Sequence, residues 1–120
     1  MSTQQDIEFH QGETWLIMFA AHNADNSAIE FDDETDIQFR ISGDEGTIIT
    51  QVRDRGIVVT DPDNGLCNIT VTPFDQEQAG LLDVDTYLYE IRVITTQFVS
   101  IQANGKFRVR ASLFAVPDSP

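Results

Sequence analysis

Apolar and polar residues alternate with a period of two along much of this sequence, and this alternation is the feature that most constrains the fold. The clearest run extends from Asp85 to Thr95, where Tyr87, Tyr89 and Ile91 share one side. Because successive side chains of a strand point to opposite faces, the pattern indicates strands with one buried face. Turn-forming residues interrupt it about every ten residues. The sequence therefore predicts an all-β fold, an antiparallel β-sandwich of about 7–9 strands with at most one short helical turn.

Three segments give more specific predictions about the sheets. Ile7 to Phe9 is predicted as a short first strand. The next strand, Glu13 to Ala20, is apolar on both faces, which predicts a central or doubly covered strand. Asn104-Gly105 is predicted as a hairpin turn between strands at 97–103 and 106–113, because Asn-Gly flanked by alternating residues favours that turn.

Two segments depart from the strand pattern. The stretch from His22 to Asp36 is rich in Asp, Asn and Ser, and it is predicted as a long loop. Pro73 to Gly80 is the one helix-permissive stretch, with Asp75 predicted to cap a single turn and Gly80 to end it.

The length of 120 residues fits one domain, predicted at residues 1–114, with a short C-terminal tail at 115–120. The longest apolar run, Trp15 to Ala21, is too short for a membrane-spanning helix, and no secretory signal is recognised at the N-terminus. Cys67 is the single cysteine, so no intrachain disulfide is expected. It alternates in phase with Ile69 and Val71, which predicts a buried thiol.

The net charge of −13 disfavours nucleic acid and anionic lipid as partners, because both repel an acidic surface. The charge is uneven along the chain, since residues 1–39 contain acids but no Lys or Arg. Lys106, Arg108 and Arg110 alternate with apolar residues near the end. They are predicted to form a basic face of the last strand and a docking surface, on which acidic loops of a neighbouring molecule would bind less tightly as salt rises.

No catalytic residue and no cofactor are predicted. The only histidines, His10 and His22, lie outside recognised catalytic motifs, and the sequence contains neither a Gly-rich phosphate loop nor a Cys/His set for zinc. The chain is therefore predicted not to be an enzyme. A small hydrolase with paired carboxylates is the alternative that the 20 acidic residues leave open.

Two acidic clusters are weak calcium candidates, and no metal is predicted at either. One contains Asp32 and Asp33, followed by Glu34 and Asp36. The other contains Asp61 and Asp63, whose Asp-x-Asp spacing matches the start of a calcium loop. Gly65 and Thr72 stand where that loop requires its fifth and twelfth ligands, so a simple turn is the preferred interpretation.

Three aromatic residues allow two interpretations. Trp15, Tyr87 and Tyr89 can form a platform on which sugars stack, or they can belong to the core. Their positions in the alternating segments favour the core.

The order of several sequence blocks resembles a known family. Phe9-x-x-Gly12-Glu13-Thr14-Trp15 is followed by the acidic loop and by Ile37-x-Phe39-x-Ile41. A Gly-closed helical turn then precedes Tyr87-Leu88-Tyr89-Glu90-Ile91-Arg92-Val93, and Asn104-Gly105-Lys106-Phe107-x-Val109 ends the series. Over about residues 7–113, this order resembles the immunoglobulin-like domains of tailed-bacteriophage virion proteins and is similar to the N-terminal domain of baseplate upper proteins.

The resemblance implies an immunoglobulin-like β-sandwich and a structural or adaptor role, without catalytic residues. We therefore expect a non-enzymatic protein of the virion, assembled in the host cytoplasm and docked onto other virion proteins. It would serve as head decoration or cement, or as a neck, tail or baseplate adaptor. Several copies in one assembly, or a homo-oligomer, are expected. The alternative is a carbohydrate-binding module that recognises host-surface glycans.

Overall fold

Nine strands account for most of the residues described by this computed structural model, which are 3–44, 46–78 and 85–110. The strands are β1 (Thr3–Gln4), β2 (Ile7–His10), β3 (Trp15–Ala20), β4 (Asp36–Gly43), β5 (Gly46–Arg53), β6 (Gly56–Asp61), β7 (Leu66–Val71), β8 (Asp85–Ile94) and β9 (Val99–Arg110). The prediction of an all-β chain is confirmed.

The strands form two layers. One layer has the order β3-β7-β6, and the other has the order β5-β4-β8-β9 with β1 and β2 beside β9. The layers meet at a corner where Val52 and Arg53 pair with Gly56 and Ile57. Pairing is antiparallel except at this corner and along β9, where β1 and β2 run parallel to it.

An aromatic cluster fills the space between the layers. Trp15 of β3 and Phe107 of β9 have ring centroids 5.1 Å apart, and Phe39 of β4 lies 6.2 Å from Phe107. Trp15 is fully buried, and its indole N–H donates to the His10 carbonyl at 2.8 Å. Cys67 packs into the same core, as predicted, and burial raises the pKa of its thiol to about 11.

The prediction that the second strand is central was wrong, because β3 pairs with β7 alone among the described strands. The N-terminal strands β1 and β2 pair with β9 in the other layer. Asp6 lies 3.9 Å from Arg108, and Glu8 lies 3.6 Å from Arg110. These contacts leave β3 at the edge of its sheet, with two apolar side chains exposed.

The predicted hairpin at Asn104-Gly105 was also wrong, because β9 continues through both residues. The turn between β8 and β9 lies earlier, where the Thr95 backbone N–H donates to the Phe98 carbonyl at 2.8 Å. Gly105 has a φ of +154°, and a Cβ there would lie 2.4 Å from the Gln5 carbonyl oxygen. The glycine is needed because the N-terminal segment passes close to β9, and not because the chain turns.

The predicted helical turn is the six-residue helix α1 (Pro73–Gln78), with a different cap from the one expected. The Asp75 N–H donates to Thr72 Oγ1 at 3.1 Å, and Asp75 Oδ2 accepts from the Thr72 N–H at 2.9 Å. This reciprocal pair is a capping box with Thr72 at the cap. A second short helical segment, a 3-10 turn, lies at Pro62–Asn64. No helix in the described part of the chain has the length and apolar character that a membrane-spanning helix needs.

Several predictions fall outside the described residues. They are the end of the helix at Gly80, the last strand beyond Arg110, and the boundary between the domain and the tail at 115–120.

Candidate docking surfaces

The basic face predicted on the last strand carries its charges beside acids of the same molecule. Arg108 and Arg110 pair in register with Glu8 and His10 of β2, and the two ion pairs described above join the strands. The Lys106 backbone N–H also donates to Asp6 Oδ1 at 3.1 Å. Docking of a neighbour on Lys106, Arg108 and Arg110 stays a prediction, but the chain's own carboxylates already offset part of this positive charge.

The first calcium candidate stabilises a turn. Asp32 accepts hydrogen bonds from the Thr35 hydroxyl and from the Glu34 backbone N–H, both at 2.9 Å, and these bonds lower the pKa of its carboxyl. Arg53 donates to the Asp32 carbonyl, which ties the loop to β5. Asp33 is exposed to solvent. These contacts give the cluster a structural role.

The second calcium candidate also stabilises a turn. Asp61 Oδ2 accepts from the Asn64 side-chain amide at 2.8 Å, across the 3-10 turn, while Asp63 is exposed. Within the ranges 3–44, 46–78 and 85–110, no three His, Cys, Asp or Glu side chains converge to hold a metal ion.

The histidines and aromatic residues occupy structural positions. His10 Nδ1 lies 3.5 Å from Glu13 Oε1 in the turn between β2 and β3, and His22 is exposed in the long loop. Trp15 and Tyr89 are buried, which confirms the core interpretation for both, and Tyr87 packs against the core. These three rings therefore do not form an exposed platform for sugars.

A polar depression of about 510 Å³ lies on the outer face of the β4 and β8 strands. Arg40 lines it, and its Nε atom is buried without a hydrogen-bond partner. The neighbouring Glu90 carboxylate is bound by Arg92, at 2.8 Å from Nη2. The lining contains hydroxyls, an amide and charges but no His or Cys, so it suits hydrogen bonding to a ligand better than proton transfer.

The outer face of the β3-β7-β6 sheet is a candidate docking surface that the sequence analysis missed. Val58, Asn68 and Met18 form one row across the three strands. Met18 is 80% exposed, Val58 60% and Leu16 51%. We call the part of this surface that carries no charge the uncharged face, and its residues are Leu16, Met18, Ala20, Val58, Leu66, Asn68 and Thr70. Asp61, which pairs with Leu66, borders it at the end of β6.

Alternation alone did not reveal this face. A strand that is apolar on both sides is usually buried twice, and β3 meets that description. The exposure of Leu16 and Met18 becomes visible only when β3 is known to lie at a sheet edge and its outer face is known to be uncovered by the strands at 3–44, 46–78 and 85–110.

Comparisons with known proteins establish the fold. No protein-family model matches the chain, and no curated protein matches it in sequence. A chicken T-cell receptor structure superposes with a TM-score of 0.54 and 14% identity, covering 96% of this chain and 57% of the receptor chain. The natural killer cell receptor NKp44 superposes with a TM-score of 0.50 and 14% identity, covering 92% of this chain and all of that one. The chain is an immunoglobulin-like β-sandwich, and at this identity the likeness concerns the fold alone.

Proposed function

We propose that this chain is a non-enzymatic structural protein of a tailed-bacteriophage particle, assembled in the host cytoplasm, where it docks onto other virion proteins. It acts as a head-decoration or cement subunit, or as a neck, tail or baseplate adaptor. The observation that carries the proposal is the uncharged face of the β3-β7-β6 sheet.

The uncharged face has the chemistry of a protein interface. Charged residues make up 22% of the sequence, yet on this sheet surface the ladders place only Asp61, at the Leu66 end of β6. Charged residues are depleted at the cores of interfaces, because burying them removes their hydration. Contiguous apolar patches exposed on soluble proteins commonly mark interaction sites. Leu16 and Met18 of β3 supply an apolar area that a partner would bury, and Val58 of β6 supplies a second one across the polar Asn68.

The sequence resemblance is what suggests the particle context. An immunoglobulin-like sandwich serves many unrelated functions, so its role depends on the surface that each member presents. Here the surface offers apolar contacts on one sheet and ion-paired charges along β9. The block order of the sequence resembles virion proteins with structural or adaptor roles, which agrees with such a surface.

The carbohydrate-binding alternative has no comparable observation in its favour. Its aromatic residues Trp15 and Tyr89 are buried, and the acidic clusters in the described ranges stabilise turns. A glycan array probed in calcium buffer tests it, and specific binding to host-surface glycans would favour it over the structural role.

The direct test is the location of the protein. Antibody labelling and quantitative mass spectrometry of purified particles should find it as a stoichiometric component. Its absence from particles that are otherwise complete would overturn the proposal.

A pair of matched variants tests the uncharged face. Val58→Lys places a charge on the β6 side of the face, and Leu88→Lys places one on the other sheet at a residue of similar exposure, 63%. We expect Val58→Lys to lower the number of copies per particle at least tenfold and Leu88→Lys to incorporate normally. Normal incorporation of Val58→Lys would exclude this face as the docking surface.

A further inference from the structure

The guanidinium of Arg40 has no acidic partner, although the sequence contains 20 acidic residues. Its side chain forms no hydrogen bond and no ion pair with the residues that the structure describes, and its Nε atom is buried. Buried donors in folded proteins almost always have a hydrogen-bond partner, and an unpaired charged donor is especially unfavourable. An anion bound to this guanidinium from outside the chain would neutralise its charge.

Glu90 is the acid that faces Arg40 in the sheet, and it is already bound. The two residues lie directly opposite each other where β4 pairs with β8. Glu90 Oε2 accepts from Arg92 Nε at 3.1 Å and from Arg92 Nη2 at 2.8 Å. The charge of Glu90 is therefore offset by Arg92, and the charge of Arg40 is left without a counter-charge.

The depression beside Arg40 offers further donors to an anionic ligand. It has a volume of about 510 Å³, and Ser42, Thr47 and Asn104 line it together with Arg40. Hydroxyl and amide groups of this kind donate hydrogen bonds to carboxylate oxygens. The planar fork of an arginine matches the two oxygens of a carboxylate, so a single carboxylate can engage it through two bonds.

The outer face of this sheet carries most of the positive charge of the chain. Five of the seven Lys and Arg residues lie there, and they are Arg40, Arg92, Lys106, Arg108 and Arg110. Acids of the same chain pair with Arg92, Arg108 and Arg110. The Arg40 and Lys106 side chains form no ion pair within 3–44, 46–78 and 85–110. An acidic ligand therefore meets less repulsion here than the net charge of −13 implies.

We propose that this depression binds an acidic peptide segment of a protein partner, with one carboxylate on Arg40 and a second on Lys106. The two cations lie two strands and one side-chain row apart, which the usual sheet spacings convert to about 12 Å between their Cα atoms. An extended peptide spans that distance in about four residues. A phosphate group fits less well, because Glu90 also lines the depression and repels a second negative charge.

Titration of the purified full chain with a blocked pentapeptide, Glu-Gly-Gly-Gly-Glu, tests the proposal. In NMR spectra the backbone amides of Arg40, Ser42 and Thr47 should shift, with a Kd below about 1 mM. The matching peptide with Gln in place of Glu should not bind. Binding of both peptides with equal affinity, or no binding of the acidic one, would overturn the proposal.

Two matched variants locate the site. Arg40→Gln should weaken binding of the acidic peptide at least tenfold. Arg55→Gln removes the same charge at an exposed turn between β5 and β6 and should bind as the wild type does. Arg40→Lys keeps the charge without the fork and should weaken binding at least threefold, which covers the case in which Arg40→Gln does not fold. An Arg40→Gln or Arg40→Lys protein that folds and binds normally would refute the site.

Two further probes separate the possible sources of the anion. Glutarate carries two carboxylates but is too short to reach both cations, and inorganic phosphate tests binding of anions in general. Both should bind at least tenfold more weakly than the pentapeptide at equal ionic strength. Glutarate or phosphate that binds as tightly would overturn the peptide assignment. The inference goes beyond the proposed function and does not rest on it, because peptide binding is measured on the purified protein and incorporation is measured on particles.

Discussion

Gly105 illustrates how the role of a single residue depends on a distant part of the chain. In the sequence it follows Asn104 and has the appearance of a turn residue. In the structure it lies within β9, beside Gln5 of the N-terminal segment. The neighbouring residues correctly suggested that position 105 needs a glycine. They could not show that the reason is the close approach of Gln5, because Gln5 is a hundred positions away in the sequence.

We expect Gly105→Ala to destabilise the protein by about 2–4 kcal/mol, because it combines an unfavourable φ with a backbone clash. Gly46→Ala is the matched control, since its φ is +113° and a Cβ there meets nothing within 4 Å. It should cost about 1–2 kcal/mol from the φ alone. Urea unfolding measures both changes, and equal losses would mean that the approach of Gln5 is unimportant.

The buried thiol of Cys67 should make the stability of the protein depend on pH at alkaline values. Burial raises the pKa of its thiol from 9.0 to about 11, so the unfolded chain loses this proton first as pH rises. The stabilisation that comes from keeping this thiol protonated in the folded state is therefore complete below pH 9. It is lost as pH rises toward 11, which lowers the free energy of unfolding by roughly 2 kcal/mol.

The control for this prediction is Cys67→Ala, which lacks the titrating group. The free energy of unfolding of the wild type should fall more steeply between pH 8.5 and pH 11 than that of the variant. Tyr89, whose pKa burial also raises, is present in both proteins and cancels in the comparison. Parallel curves would contradict the assignment of a raised thiol pKa.

At the scale of elements, the helix α1 is anchored by a residue that the sequence analysis did not single out. Gln76 is fully buried, and its side chain accepts from the Gly12 N–H at 3.2 Å and donates to the Glu13 carbonyl at 2.8 Å. Both bonds tie the helix to the turn between β2 and β3. A glutamine in a short polar helix gives no sequence signal of burial, because its partners lie more than sixty residues earlier.

We expect Gln76→Met to destabilise the protein by about 1–3 kcal/mol, since it keeps the side-chain length but removes two part-buried hydrogen bonds, to the Gly12 N–H and the Glu13 C=O. The exposed Gln97→Met should change stability by less than about 0.5 kcal/mol. Thermal unfolding compares the two variants, and a Gln76→Met protein as stable as wild type would contradict the anchoring role.

The strands show what local pattern determines and what it does not. Alternation predicted β4, β7 and β8 closely, because each has one buried face whose period is set by the strand itself. It misplaced β3 in the sheet because strand order depends on pairing partners. The pairing of β1 and β2 with β9 joins segments about a hundred positions apart in the sequence, so the alternation within each segment could not predict it. The uncharged face was missed for the same reason.

At the scale of the whole molecule, the uneven charge predicts how docking on the basic face of β9 should respond to salt. If acidic loops of a neighbouring molecule bind Lys106, Arg108 and Arg110, added salt should weaken the complex, because exposed charge pairs are screened within about 8 Å at physiological ionic strength. Sedimentation equilibrium between 50 and 500 mM NaCl measures the Kd, and a Kd that does not rise with salt would contradict docking on this face.

Protection of the uncharged face in the particle is the most direct test of the central claim. Val58→Cys introduces an exposed thiol, while the native Cys67 is buried and unreactive. A maleimide should label Val58→Cys quickly in the free protein and at least tenfold more slowly in purified particles. Asp33→Cys, in the exposed loop, should label at similar rates in both. Equal labelling of Val58→Cys in the free protein and in particles would show that the face is not covered and would contradict the account.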